Sequence, residues 1–149
     1  MSKLREWINL LENRAIDDSW FEQGAFEAFR KPDKIEKYTI AQEPGVVQTL
    51  EGPVEHPAGY YIMTGPKGDQ YPISPETFKK NKDDLGDGRA QPKKIIKLAK
   101  VADHAGTVNT SWGQKLHYNP DVDIIVRHGP GDYGVVKRDI FDITYERVN

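Results

Sequence analysis

The beginning of the chain carries a helical pattern of apolar residues. From Leu4 onward they recur at intervals of three or four, which predicts an amphipathic helix over residues 3–14. Ser19 followed by Glu22 matches a capping box, which predicts the start of a second helix. Proline at position 32 ends that second helix. The sequence therefore predicts an N-terminal arm of two helices.

From residue 35 onward the pattern changes to short segments of β type, separated by turn residues. In chain order these segments are Ile35–Ile40, Val46–Leu50, Pro53–His56, Tyr60–Thr64 and Gln70–Ile73. Ser74 followed by Pro75 then predicts the first turn of a short helix that carries Phe78.

The second half of the chain repeats this pattern. Gly68-Asp69 corresponds to Gly131-Asp132, and Phe78 corresponds to Phe141, at a constant shift of 63 residues. Self-similarity of this kind is typical of two copies of one supersecondary unit.

The predicted fold class is α+β and mainly antiparallel, with two tandem β-rich repeats that each close with a short helical turn. The N-terminal arm covers residues 1–31, the first repeat 32–80 and the second repeat 92–149. Residues 81–91 are predicted to be a linker, because this charged stretch has Leu85 as its single branched aliphatic residue. We expect the parts to form one compact domain.

The strand around Ile125 is apolar on both faces. Ile124 and Val126 alternate with Ile125, and Tyr61 and Met63 hold the corresponding positions in the first repeat. A strand of this kind is predicted to be covered on both sides.

Composition and charge narrow the classes of partner. The 149 residues are 37% hydrophobic and 30% charged, with a net charge of -2, so nucleic acid is an unfavoured partner. The absence of cysteine excludes disulfides and thiolate metal sites. No stretch is apolar for long enough to span a bilayer, so we expect no membrane partner and a cytoplasmic location.

The glycine-rich turn at residues 129–134 matches two well-known patterns by spacing. Gly129, Gly131 and Gly134 form G-x-G-x-x-G, but a dinucleotide site needs a helix to begin in the loop, whereas Val135 begins a strand. A kinase would need catalytic and metal-binding motifs downstream, and the chain ends soon after. Two interpretations remain open: the glycines supply turn geometry, or their backbone N–H groups bind an anion.

Candidate ligand-binding residues surround this turn. They are His128, Asp132, Tyr133, Lys137 and Arg138. The sequence predicts no catalytic residues, no metal site and no cofactor. The expected partner is an unidentified protein or a small anionic ligand, and the chain is expected to be a monomer or a homodimer.

The segment Pro130-Gly131-Asp132-Tyr133-Gly134 resembles the signature of the PGDYG family of bacterial and phage proteins. The similarity is strongest over residues 120–146, which include the Thr144-Tyr145-Glu146 tail, and weaker over residues 57–78. The resemblance implies a bacterial or phage protein. It implies no particular activity, because that family is itself largely uncharacterised.

Two functional classes are consistent with the sequence. The first is a non-enzymatic module that binds a ligand or a protein. The second is a small nucleotide-binding protein or enzyme that uses a cleft between the repeats, with His128, Asp132 and Arg138 as candidate residues.

Overall fold

The computed structural model describes residues 16–109 and 115–148. Within these residues the strands are, in chain order, β1 (Phe26–Arg30), β2 (Glu36–Ile40), β3 (Gly45–Thr49), β4 (Gly52–His56), β5 (Tyr61–Thr64), β6 (Gln70–Ile73), β7 (Lys82–Gly86), β8 (Arg89–Pro92), β9 (Lys97–Val101), β10 (Gly106–Asn109), β11 (Lys115–Tyr118), β12 (Asp123–Gly129), β13 (Asp132–Lys137) and β14 (Tyr145–Arg147). The helices are a 3-10 helix (Asp18–Glu22), α1 (Pro75–Asn81) and α2 (Arg138–Thr144). In the described part of the chain, no helix has the length and apolar character needed to cross a membrane.

The strands form two five-stranded sheets, and all their pairings are antiparallel. Sheet I has the order β6-β5-β2-β8-β7, and sheet II has the order β13-β12-β9-β1-β14. Two hairpins, β3-β4 and β10-β11, stand apart from these sheets. Each sheet ends in the second strand of a hairpin, β6 or β13, and each of these edge strands leads into a helix.

The predicted two-helix arm is wrong. The first predicted helix, 3–14, lies outside the described residues. Where the second was expected, Asp17 caps the short 3-10 helix by accepting a hydrogen bond from the Trp20 N–H at 3.2 Å. Gly24 follows with φ +78°, and the chain then enters β1.

The sequence misleads here because its apolar residues fit two periods. Alanine and phenylalanine over residues 25–29 match a helical stripe, but Phe26 and Ala28 also alternate as in a strand. Both side chains pack in the same cluster as Phe141 and Tyr145. Burial within sheet II, where β1 lies between β9 and β14, therefore outweighs the local helical pattern.

The stretch 81–91, predicted to be a linker, forms the hairpin β7-β8 at the edge of sheet I. Asp87 and Gly88, with φ 54° and 72°, make its turn. Lys82 at its start is buried against Glu36, where the sequence alone suggests a solvated lysine. A long-range ion pair thus buries the lysine that begins β7, and the rest of this charged strand pairs with β8.

Other sequence predictions are confirmed. The strand that contains Ile125 is buried on both faces, since Ile125 packs in one core cluster and Ile124 and Val126 in another. Ser74 caps α1 by accepting a hydrogen bond from the Thr77 N–H at 3.1 Å, with proline at the first position of the helix.

Candidate ligand-binding site

A cavity of about 180 Å³ lies between the edge strands of the two sheets. Every residue of β13 and every residue of β6 lines it. Because successive side chains of a strand point to opposite faces, a cavity that meets all of them runs along the strand's edge. The turn of the β3-β4 hairpin and residues of both α-helices complete the walls.

One end of the cavity is cationic. Arg30, Lys82 and Lys97 line it. Glu36, which is buried, pairs with the first two: its carboxylate lies 3.4 Å from Arg30 Nη1 and 2.5 Å from Lys82 Nζ. Asp132, which also lines the cavity, is the carboxylate that acts on Lys97. At this end cations outnumber carboxylates.

The cationic end disfavours the charged forms of its two lysines, Lys82 and Lys97. Burial, together with the repulsion of Arg30, lowers the pKa of Lys82 to about 7 and that of Lys97 to about 8. Burial favours protonation of Glu36, but Arg30 and Lys82 outweigh it and hold its pKa below the ordinary value. The cationic end therefore has positive charge that its own carboxylates do not fully compensate.

His128 lies beside Lys97, with Nδ1 2.8 Å from the lysine Nζ. Burial, reinforced by Lys97 and Arg30, holds the pKa of His128 well below its ordinary value, so the neutral ring accepts from the lysine. A Cβ at position 134 would lie 2.6 Å from His128 Nε2. Gly134 is thus required for the ring to pack against the β13 backbone.

The other end of the cavity is acidic. Lys137 lies 3.0 Å from Oδ1 of Asp123, whose side chain is fully buried and whose Oδ2 accepts from the Asn119 N–H at 2.8 Å. Oδ1 has this ion pair but no hydrogen bond of good geometry. Burial raises the pKa of the nearby Glu51 to about 7; Lys137 opposes the shift and Asp123 adds to it. Two carboxylates thus share one lysine.

Four of the five predicted ligand-binding residues line this cavity: His128, Asp132, Tyr133 and Lys137. Arg138 does not. Its guanidinium donates to the Asp121 carbonyl at 3.2 Å.

The side chain of Tyr133 serves the fold. Its hydroxyl donates to Asp18 at 2.7 Å, and its ring stacks on Phe21. Hydrogen bonds from Arg127 and Tyr133, with a smaller contribution from the Gly131 N–H, lower the pKa of Asp18 to about 2. Side chains in and beside the glycine-rich turn thus bind a carboxylate of the same chain.

The turn between β5 and β6, in the first repeat, is closed by its own aspartate. Asp69 accepts a hydrogen bond from the Lys67 N–H at 3.3 Å, which is an Asx-type bond. The described residues contain no group of three or more His, Asp or Glu side chains arranged to hold a metal ion.

Sequence reasoning missed Arg30, Glu36, Lys82, Lys97 and Glu51. Glu36 and Lys82 are 46 positions apart, and each looks like an ordinary surface residue in its own segment. The available signal was the sequence correspondence between the two halves of the chain, since Lys82 directly follows α1 just as the buried Tyr145 directly follows α2.

Comparison with protein-family models, with curated proteins and with solved structures found no match for this chain.

Proposed function

We propose that this protein is a binding module that takes up a small anionic ligand in the cavity between β6 and β13. One observation supports this proposal above the others: Arg30, Lys82 and Lys97 converge on the cavity with too few carboxylates to balance them. Buried cations whose charge is only partly compensated are unfavourable, so these side chains attract an anion that enters the cavity.

The size of the cavity favours a small ligand. Its volume of about 180 Å³ is below the range of about 300–1,000 Å³ that is usual for pockets of drug-sized molecules. A whole nucleotide is therefore less favoured than a compact organic anion. Apolar residues such as Ile73, Leu116 and Val136 also line the cavity and suit a ligand with an apolar body.

Membership of the PGDYG family stays a proposal, and with it a bacterial or phage origin and a cytoplasmic location. Two residues of the family signature support this membership. Gly131 has a φ of +70°, which favours glycine, and the Tyr133 hydroxyl donates to Asp18, so each has a structural role in the turn. The internal repeat is proposed on similar grounds, since both sheets end in a hairpin followed by a helix.

The proposal is tested by the thermal stability of the protein with acetate, succinate, inorganic phosphate or ADP at millimolar concentration. A ligand that binds only the folded state raises Tm. We expect at least one small anion to raise Tm of the wild type and of Lys34→Met, an exposed control lysine. We expect Lys97→Met to abolish the shift. Failure of every anion, or an equal shift in Lys97→Met, would refute the proposed site.

A further inference from the structure

One hydrogen bond at the end of β13 shows which of its residues direct their backbone N–H and C=O groups towards β12. The Arg138 N–H donates to the Val122 carbonyl at 2.9 Å, and Lys137 pairs with Asp123 in the register. Hydrogen-bonded and non-hydrogen-bonded pairs alternate along an antiparallel ladder. Even-numbered residues of β13 therefore face β12, and the N–H and C=O groups of Tyr133, Val135 and Lys137 point away from it.

The same reasoning applies to β6. The Gly65 N–H donates to the Asp69 carbonyl at 2.7 Å, so Gln70 and Pro72 carry the outward backbone groups. Proline has no N–H, which leaves this edge a single outward donor, that of Gln70. β13 therefore offers three outward donors and β6 only one.

Within the described residues, these outward groups face the cavity and pair with no second strand. All residues of β13 line the cavity, and in the described chain β13 pairs on one side only, with β12. Among the described residues, no hydrogen bond satisfies the outward N–H groups of Tyr133, Val135 and Lys137 or the outward C=O groups of Tyr133 and Val135. The Lys137 C=O belongs to the N-cap of α2, where it accepts the first bond of that helix. An extended peptide is the ligand whose backbone matches such an edge.

The charges at the two ends of β13 give a bound peptide a direction. Asp132, at the start of the strand, lies by the cationic end, and Lys137, five residues later, lies by Glu51 and Asp123. At about 3.3 Å per residue, these ends are about 16 Å apart. A tripeptide spans about 10 Å, and long lysine and glutamate side chains can cover the remaining distance.

We propose that the ligand is a short extended peptide that adds to β13 as an antiparallel strand. Its C-terminal carboxylate lies at Arg30, Lys82 and Lys97, and its N-terminal ammonium group lies towards Glu51. This inference rests on the proposed function, because it uses the same cavity and the same cationic end. It adds the chemical class and the orientation of the ligand.

The two termini are tested with tri-alanine and its C-terminal amide, titrated into the whole protein by calorimetry. The amide lacks the anion, so we expect its Kd to be at least about tenfold higher than that of the free acid. Equal affinities would overturn the orientation. If small anions raise Tm but neither peptide binds, this inference fails while the proposed function stands.

The backbone pairing is tested with Val135→Pro against Val135→Ala. Position 135 corresponds to Pro72 of β6, so proline removes one outward N–H and leaves the hydrogen bonds to β12 intact. We expect Val135→Pro to weaken tri-alanine binding about tenfold relative to Val135→Ala. Equal binding by the two variants would overturn the added strand.

A second measurement uses the wild type and does not depend on folding of the proline variant. In a titration of the ¹⁵N-labelled protein with tri-alanine, the outward amides of Tyr133, Val135 and Lys137 should gain protection from hydrogen exchange. The inward amides of Gly134 and Val136 are already bonded to β12 and should change little. Unchanged exchange at the outward amides, with peptide bound, would rule out pairing to β13.

Discussion

Nζ of Lys97 lies 2.8 Å from Nδ1 of His128, so two basic groups from neighbouring strands share one hydrogen bond. Burial disfavours the charged form of each. Repulsion from Arg30 adds to this effect at Lys97, and repulsion from Lys97 and Arg30 adds to it at His128. The histidine therefore stays neutral and accepts. The Lys97 amine therefore lies at the cavity with a lowered pKa, and an anion bound beside it would raise that pKa.

Gly134→Ala should destabilise the protein. The new Cβ would lie 2.6 Å from His128 Nε2, so the ring must move and its bond to Lys97 is lost. We expect a loss of about 1–3 kcal/mol in the free energy of unfolding, measured with urea. Gly129→Ala is the matched control, because a Cβ there meets nothing within 4 Å. Equal stability of the two variants would contradict this close packing.

The pH dependence of stability should change in Lys97→Met. The folded-state pKa of Lys97 is about 8, below its ordinary 10.5, so the unfolded chain binds the proton first as pH falls. Stability of the wild type should therefore rise between about pH 8 and pH 9.5, by at most about 1.4 kcal/mol per pH unit for each such proton. The methionine variant should show a shallower rise in urea unfolding across that interval. An unchanged slope would mean that Lys97 is protonated as freely in the folded protein as in the unfolded chain.

Glu36→Gln should be strongly destabilising. Glu36 is buried and pairs with Arg30 and Lys82, so its neutral replacement leaves two cations uncompensated. The expected loss in the free energy of unfolding is about 3–5 kcal/mol.

A double-mutant cycle isolates the pairwise effect of Lys82. Because Lys82→Met removes one of the stranded cations, the double variant Glu36→Gln/Lys82→Met should lose less stability than the sum of the two single variants. Strict additivity would show that Glu36 and Lys82 do not interact.

Tyr133→Phe should raise the pKa of Asp18. The tyrosine hydroxyl donates to this carboxylate at 2.7 Å and helps to hold its pKa near 2. Without that bond the pKa should move upward, towards the ordinary value of 3.8 for an aspartate.

The same pKa shift determines how the stability of Tyr133→Phe depends on pH. Because the Asp18 pKa is depressed in the folded protein, its carboxylate stabilises the fold above pH 3.8, and this stabilisation is lost as pH falls towards 2. Tyr133→Phe has less of this stabilisation to lose, so its stability should fall less on acidification than that of the wild type. The Asp18 pKa is read by carboxyl NMR. Tyr61→Phe is the control, since the Tyr61 hydroxyl has no hydrogen-bond partner among the described residues. No movement of the Asp18 pKa in Tyr133→Phe would contradict the bond.

Local signals in the sequence located most of the sheet. The segment Gln70–Ile73 is a strand as predicted, and the cap at Ser74 starts α1 where the serine-proline pair placed it. Such features depend on residues a few positions apart. The helical interpretation of residues 19–29 failed because Phe26 and Ala28 are positioned by β9 and β14, which no local pattern reveals.

The candidate site was located only in part, for a related reason. His128 and Asp132 flank a recognisable glycine turn, so the sequence pointed to them. Arg30 and Lys82 come from distant segments, and their joint burial around Glu36 follows from the folding of both sheets. A charged residue looks solvated in sequence until its partner is known.

The most direct test follows the side chain of Lys97 itself. Its pKa can be read by NMR of the side-chain Cε in the free protein and in the presence of the anion that raises Tm most. A negative group at the cationic end favours the charged amine, so the pKa should rise from about 8 towards 10.5 when the ligand binds. A pKa that stays the same at saturating ligand would contradict the claim that the cavity between β6 and β13 binds the anion there.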